Sequence, residues 1–237
     1  PRFHGHRIGN HCGGQRLGRR VTRGTIPLLV VLDVDSTLSN EEGIDELARA
    51  AGPSYAAKVA EITEEAMCGD VDFATSLATR LEVLAGAPEE IVATAKACVT
   101  ATDGARELIE AVHAAGGRVC AVSGGFHELI DSLMESLGID QWRAHRLVID
   151  NGVLTGQRDG ELIDSHAKAR WLERWRDEYG ASRCVAIGDG ANDLEMMAVA
   201  DYSIGFDPKP AVRARATQCI DTRNLAEAID LVGLVRG

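Results

Sequence analysis

Asp33 and Asp35, two carboxylates two residues apart, follow an apolar run and lead into Ser36 and Thr37. A carboxylate in the position of Asp33, at the end of a strand, suits attack on phosphorus. It can hold the transferred group as an acyl phosphate, which splits one difficult displacement into two easier ones. Asp35 then suits a proton shuttle that protonates the departing alkoxide and later takes a proton from the attacking water. A turn or helix cap uses the same residue types, so the reading depends on what else converges there.

Three further strings supply that convergence: Ser123-Gly124-Gly125, Lys168, and Gly188-Asp189-Gly190-Ala191-Asn192-Asp193. A phosphate monoester dianion repels an incoming carboxylate, so a site built on Asp33 needs positive charge. Asp33 and Asp189, with a backbone carbonyl of the acidic loop, offer the hard oxygen ligands that Mg²⁺ takes. Lys168 is one of only four lysines in the chain and falls near the start of a predicted helix, in reach of the same crevice. In Ser123-Gly124-Gly125, a hydroxyl and closely approaching amides beside a helix start form an anion cradle for phosphoryl oxygens. Asn192 is placed to hydrogen-bond phosphate, and Asp193 to fix Lys168 or a metal-bound water. A solvated Lys168 and an ordinary glycine-rich turn are the plainer readings of single members of this set.

The elements that must position these groups follow from the hydropathy pattern. Leu28 to Leu32 reads as a central strand buried on both faces. From about Glu41 to Val99 the pattern is helical, with breakers at Gly52-Pro53, Gly69 and Gly86-Ala87-Pro88, giving about four short helices and no strand. Asp103 is predicted to cap a helix running through Ala115, followed by a strand over Arg118 to Val122 and a helix over Phe126 to Leu137. Arg146 to Gly156 reads as a hairpin turning at Asn151-Gly152. A helix over Ala167 to Tyr179, a strand over Cys184 to Gly188, a helix over Ala191 to Ala200 and a strand over Tyr202 to Phe206 complete the alternation. This predicts an α/β fold, a parallel sheet with helices on both faces, whose ligand crevice lies beyond the carboxyl ends of the strands. The expected division is a basic, disordered leader over residues 1–25, a catalytic core over 26–40 and 100–237, and a helical cap or lid over 41–99.

The order DxDx[TV], strand-terminal Ser, Lys and GDxxxD resembles the haloacid dehalogenase superfamily of phosphohydrolases, over about Leu28 to Leu231. The lid strings are similar, more narrowly, to its phosphoserine phosphatase branch: Glu42 with Ile44-Asp45-Glu46-Leu47-Ala48, Ile62-Thr63-Glu64-Glu65-Ala66-Met67, Phe73, Ser76-Leu77 and Arg80. The resemblance implies a Rossmann-like core with a small helical cap inserted after the first strand, and Mg²⁺-dependent hydrolysis of O-phospho-L-serine, the last step of serine biosynthesis. It assigns Glu42 to the substrate ammonium, Arg80 to its carboxylate, and Met67 and Phe73 to the apolar wall of the closed lid. Asp33, Asp35 and Lys168 become the catalytic residues, Ser123, Gly124, Lys168 and Asn192 the phosphate binders, Asp33, Asp35 and Asp189 the metal ligands, and Asp193 their support. His166 has no role in that pattern. A regulatory ligand-binding domain ahead of the catalytic unit, and feedback control through one, are not expected. The rival readings are another superfamily phosphatase or phosphotransferase acting on a different small phosphomonoester, and a catalytically silent binding protein on the same scaffold.

Composition narrows the partners. The formal net charge of −11 disfavours a general nucleic-acid binder. Residues 1–25 carry six arginines and no carboxylate, and their reading as an inert leader competes with an anion-binding arm or a metal site at His4, His6, His11 and Cys12. No apolar run reaches the roughly 18 residues of a membrane span. The six scattered cysteines, with no CxxC pair, read as reduced packing residues of a cytoplasmic protein, a monomer or homodimer acting on a small molecule.

Overall fold

The computed structural model describes residues 25–67 and 72–234. The expected leader over 1–25 therefore lies almost wholly outside the described residues. The chain runs β1 (Leu29–Leu32), α1 (Gly43–Ala51), α2 (Pro53–Met67), α3 (Phe73–Val83), α4 (Glu90–Cys98), α5 (Ala105–Ala114), β2 (Arg118–Phe126) and α6 (His127–Leu137). It continues with β3 (Gln141–Asp150), β4 (Val153–Asp159), α7 (Ser165–Tyr179), β5 (Cys184–Gly188), α8 (Leu194–Val199), β6 (Tyr202–Phe206), α9 (Pro210–Arg213), β7 (Gln218–Ile220) and α10 (Ala228–Leu231). One seven-stranded sheet has the order β4-β3-β2-β1-β5-β6-β7. Every neighbouring pair is parallel except β3 and β4.

β1 lies at the centre because all four of its side chains are apolar and sealed from water. Val30 and Leu32 join the core under α1, α5 and α6, while Leu29 and Val31 face Ala167, Leu172, Trp175 and Met196 on the opposite side. A strand that is apolar on both faces belongs in the middle of a two-sided sheet. The hairpin turns where expected, with Asn151 at φ 49° and Gly152 at φ 78°, the paired positive dihedrals of a tight type I′ connection.

Among the described residues four helices occupy the stretch after the acidic loop, α1 packing on α2 and α4, and α3 lying against α2 and β4. The chain leaves and re-enters the sheet through a paired neck, where Ser39 bridges Ala101 antiparallel and Asn40 N–H donates to Thr100 carbonyl at 3.1 Å. Among the described residues no helix is long and apolar enough to cross a membrane. Cys98, Cys120, Cys184 and Cys219 are free thiols.

Several expected boundaries change. Asp103 does not cap α5: Gly104 takes the cap position at φ 76°, a left-handed conformation that glycine adopts without strain. The Asp103 carbonyl instead accepts from Leu225 N–H at 2.8 Å. Ser123-Gly124-Gly125 is not a turn; β2 continues through it to Phe126, with a register shift against β3. The expected helix from Ala191 begins as a short 3₁₀ turn, Ala191–Asp193, before α8.

Candidate active site

The carboxyl ends of β1, β2 and β5 open into a cavity of about 660 Å³. Asp33, Asp35, Gly124, Gly125, Asp189 and Asn192 line it from the sheet side, and Glu42, Ile44, Thr63, Phe73, Ser76, Leu77 and Arg80 from the helical side. Met67 lies outside the residues whose side chains are described.

Asp33 directly follows β1 and is 3% exposed. After it the chain makes one wide turn in which Ser39 N–H donates to the Val34 carbonyl at 2.8 Å. Within that turn Asp35 is extended and Ser36 has φ 58°, an unusual dihedral for a residue with a side chain. The turn brings both aspartates to the same opening. Asp35 is held from two sides: Gly43 N–H, at the start of α1, donates to Oδ1 at 2.7 Å, and Ser123 Oγ donates to Oδ2 at 2.7 Å. Gly125 N–H donates in turn to Ser123 Oγ at 2.7 Å. A methyl group on Gly125 would come within 2.9 Å of Asp35 Oδ2, and one on Gly124 within 2.9 Å of the Phe73 ring. Bare backbone at both positions is what lets carboxylate and ring approach.

Beneath this surface Lys168, from the first turn of α7, is fully buried. Its Nζ lies 2.6 Å from Asp33 Oδ1 and 2.8 Å from Asp193 Oδ1. Burial opposes its charge, but Asp193 and Asp33 override it and raise the pKa above that of an ordinary lysine. Asp193 accepts from Gly190 N–H at 3.1 Å as well, so it ties Lys168 to the Gly188-to-Asp193 loop. Ser123 and Lys168 thus lie below the cavity floor rather than on it.

The carboxylates outnumber the cations. Burial, then Asp193, pushes the Asp33 carboxyl well above its usual range despite Lys168, with Asp189 and Asp35 adding to the effect. Asp33, Asp189 and Asp193 each offer an oxygen within 4.8 Å of the others. This grouping is of side-chain oxygens and adds Asp193 to Asp33 and Asp189; the Asp35 carboxylate is engaged by Gly43 and Ser123, so of Asp35 only the backbone carbonyl is left for the expected metal set. Three buried hard oxygen donors carrying surplus negative charge fit a divalent cation.

Lys209 is the charged group that sequence reasoning missed. Its Nζ lies 2.9 Å from Asp189 Oδ2, and its N–H donates to the Asp189 carbonyl at 2.9 Å. It precedes the Pro210 that starts α9 and lies 20 residues beyond Asp189, so only the fold reveals its place. Glu42 accepts from Ser36 Oγ at 2.7 Å; burial first, then Asp35, pushes its pKa up to about 7. Arg80 is half-buried across the cavity, its guanidinium influenced by Asp45 and Glu42. His166 is largely exposed and pairs with Glu195, away from this site.

Residues 30–198 match the family model of haloacid dehalogenase-like hydrolases. The chain is 43% identical over 206 residues to a phosphoserine phosphatase of Lactococcus lactis, covering 86% of this chain and 94% of the relative. It is 40% identical to one of Methanocaldococcus jannaschii, covering 86% and 97%. Among solved structures it is similar to a phospho-aspartyl intermediate analogue of phosphoserine phosphatase, with TM-score 0.82, 39% identity, and coverage of 87% of this chain and 99% of that one. A substrate-bound phosphoserine phosphatase complex is similar at TM-score 0.81 and 38% identity, with coverage of 88% and 98%. With the family pattern present from Asp33 through Asp193 on the matching fold, the chain belongs to the haloacid dehalogenase-like hydrolase family.

Proposed function

We propose that this chain is a phosphoserine phosphatase, hydrolysing O-phospho-L-serine to L-serine and inorganic phosphate. The observation that carries the reading is one cavity holding the paired aspartates at its sheet side and an anion, Glu42, and a cation, Arg80, at its helical side. A zwitterionic amino-acid head needs one partner of each sign, and its phosphate then points toward Asp33. The names of the similar proteins support the same substrate.

In this reading Asp33 Oδ attacks phosphorus; the P–O bond to the serine oxygen breaks, and Asp35 gives that oxygen its proton. Asp35 then takes a proton from water as the water attacks the aspartyl phosphate, releasing phosphate and regenerating Asp33. Ser123 and Gly125 hold Asp35 in line for both transfers, and Lys168 keeps Asp33 turned toward the opening. Gly124, Asn192 and Lys209 line the place for the phosphoryl oxygens. Asp33, Asp189 and the Asp35 backbone carbonyl would hold Mg²⁺, with Asp193 supporting them. Bound there, a divalent cation offsets the carboxylate charge and polarises the phosphoryl group. Phe73 and Leu77 supply the apolar wall, with α1 to α4 serving as a lid that excludes water. In this reading the release of L-serine serves as the last step of serine biosynthesis, and the free thiols Cys120 and Cys184 suit a cytoplasmic setting.

Phosphate release from phosphoserine, phosphothreonine, phosphoglycolate and a sugar phosphate, each with and without Mg²⁺, tests the reading. Phosphoserine is expected to be preferred by at least tenfold and only with the cation; preference for another substrate overturns it. Asp33→Asn is expected to fold normally and lose activity by a factor on the order of 10³ or more. Turnover retained in that variant removes Asp33 as the nucleophile.

A further inference from the structure

His145 is completely buried in β3, and neither of the aspartate chemistries uses it. β2 pairs with β3 at Val122↔Arg143 and next at Phe126↔His145, so four residues of β2 pass while β3 advances two. The extra residues form a bulge that contains Ser123, Gly124 and Gly125, and a bulge leaves backbone groups without ladder partners. His145 sits where the register resumes. Its Nδ1 lies 3.1 Å from the Gly124 carbonyl, and its Nε2 lies 2.8 Å from Ile163 N–H. A carbonyl only accepts and an amide N–H only donates, so Nδ1 carries the proton and Nε2 is the acceptor. Burial, with Arg158 adding to it, holds the imidazole pKa down to about 4, which keeps this neutral form. Ile163 directly precedes Asp164, whose carboxylate caps α7 by accepting from Ala167 N–H at 2.8 Å.

We infer that His145 is a positioning residue: its imidazole anchors the bulge that holds Ser123 and Gly125 against Asp35, and ties that bulge to the start of the helix carrying Lys168. One side chain thereby fixes the distance between the proton-shuttle half of the site and the ammonium half. The inference rests on the proposed phosphatase reading for its kinetic consequence but not for the anchor itself.

His145→Leu keeps the bulk and loses both bonds. His145→Asn places an amide donor where Nδ1 stood, and His145→Gln places an acceptor near the former Nε2. In His145→Leu, kcat for phosphoserine is expected to fall about 10- to 100-fold, because Asp35 loses its alignment. KM is expected to change less than about threefold, since Glu42 and Arg80 are untouched. His145→Asn recovers most of kcat and His145→Gln does not. Amide exchange provides a readout without turnover: Gly125 N–H loses protection in His145→Leu and regains it in His145→Asn. Wild-type kcat together with wild-type Gly125 protection in His145→Leu overturns the proposal, as does an activity loss in all three variants that follows melting temperature alone. A wild-type chain that releases no phosphate defeats the functional reading, while Gly125 exchange still decides the role of His145.

Discussion

Lys168 is one ammonium between two carboxylates, Asp33 and Asp193, with all three closed off from water. Removing one member of such a group leaves buried charge uncompensated, which costs far more than the intact pair contributes. Lys168→Met is therefore expected to lose about 3–5 kcal/mol of stability as well as activity, visible as a large drop in denaturation midpoint; an unchanged midpoint would contradict the buried pairing. Glu42 behaves differently because its charge is wanted only when substrate arrives. A carboxyl whose pKa rises from 4.5 to about 7 on folding binds its proton more tightly in the folded chain, so stability falls as pH rises through that interval. Glu42→Gln is expected to be more stable than the wild type above pH 7 without substrate, by a few degrees of melting temperature, and equal to it below pH 4.5. The substrate ammonium favours the ionised form. KM for phosphoserine should accordingly rise as pH falls below about 7 in the wild type and be high with a flatter profile in the variant.

At the scale of elements, β1, β5 and β6 were legible because each is a short apolar run sealed in the sheet, and hydropathy alone marks that environment. β2 was legible only as far as Val122, since Ser123-Gly124-Gly125 has the composition of a turn. What keeps it in the sheet is the register shift against β3, a cross-strand property absent from any local pattern. The same bulge predicts unequal effects for its two glycines. Gly125→Ala crowds Asp35 and Ser123, so kcat is expected to fall about 100-fold. Gly124→Ala pushes on the Phe73 ring instead, and its effect is expected mainly in KM. Equal losses of kcat in both variants would remove the distinction between the carboxylate side and the wall side.

For the whole molecule, the surplus of negative charge in the site connects metal binding to stability. Asp33, Asp35, Asp189 and Asp193 face two ammonium groups, Lys168 and Lys209, which leaves an excess that a divalent cation matches. A ligand that binds only the folded state stabilises it by mass action, about 2.7 kcal/mol at one hundred times its Kd. Saturating Mg²⁺ is expected to raise the melting temperature by roughly 5–10 °C, chelation to reverse the rise, and Asp189→Asn to abolish most of it. A melting temperature indifferent to Mg²⁺ would count against the cation site.

The sequence by itself determined the alternation of strands and helices, the four-helix stretch after the acidic loop, and the strings from Asp33 to Asp193, because burial patterns and motif spacing are local along the chain. Tertiary structure alone decided that Lys209 reaches Asp189, that Asp35 is clasped by Gly43 and Ser123, that Asp193 joins the buried carboxylate group, and that His145 bridges Gly124 and Ile163. Each of those contacts joins residues from different elements, and the physical reason is the same in every case. A buried polar group takes whichever partner the packed sheet brings within hydrogen-bond distance, and that choice is made by register and crossover, not by neighbours in the chain.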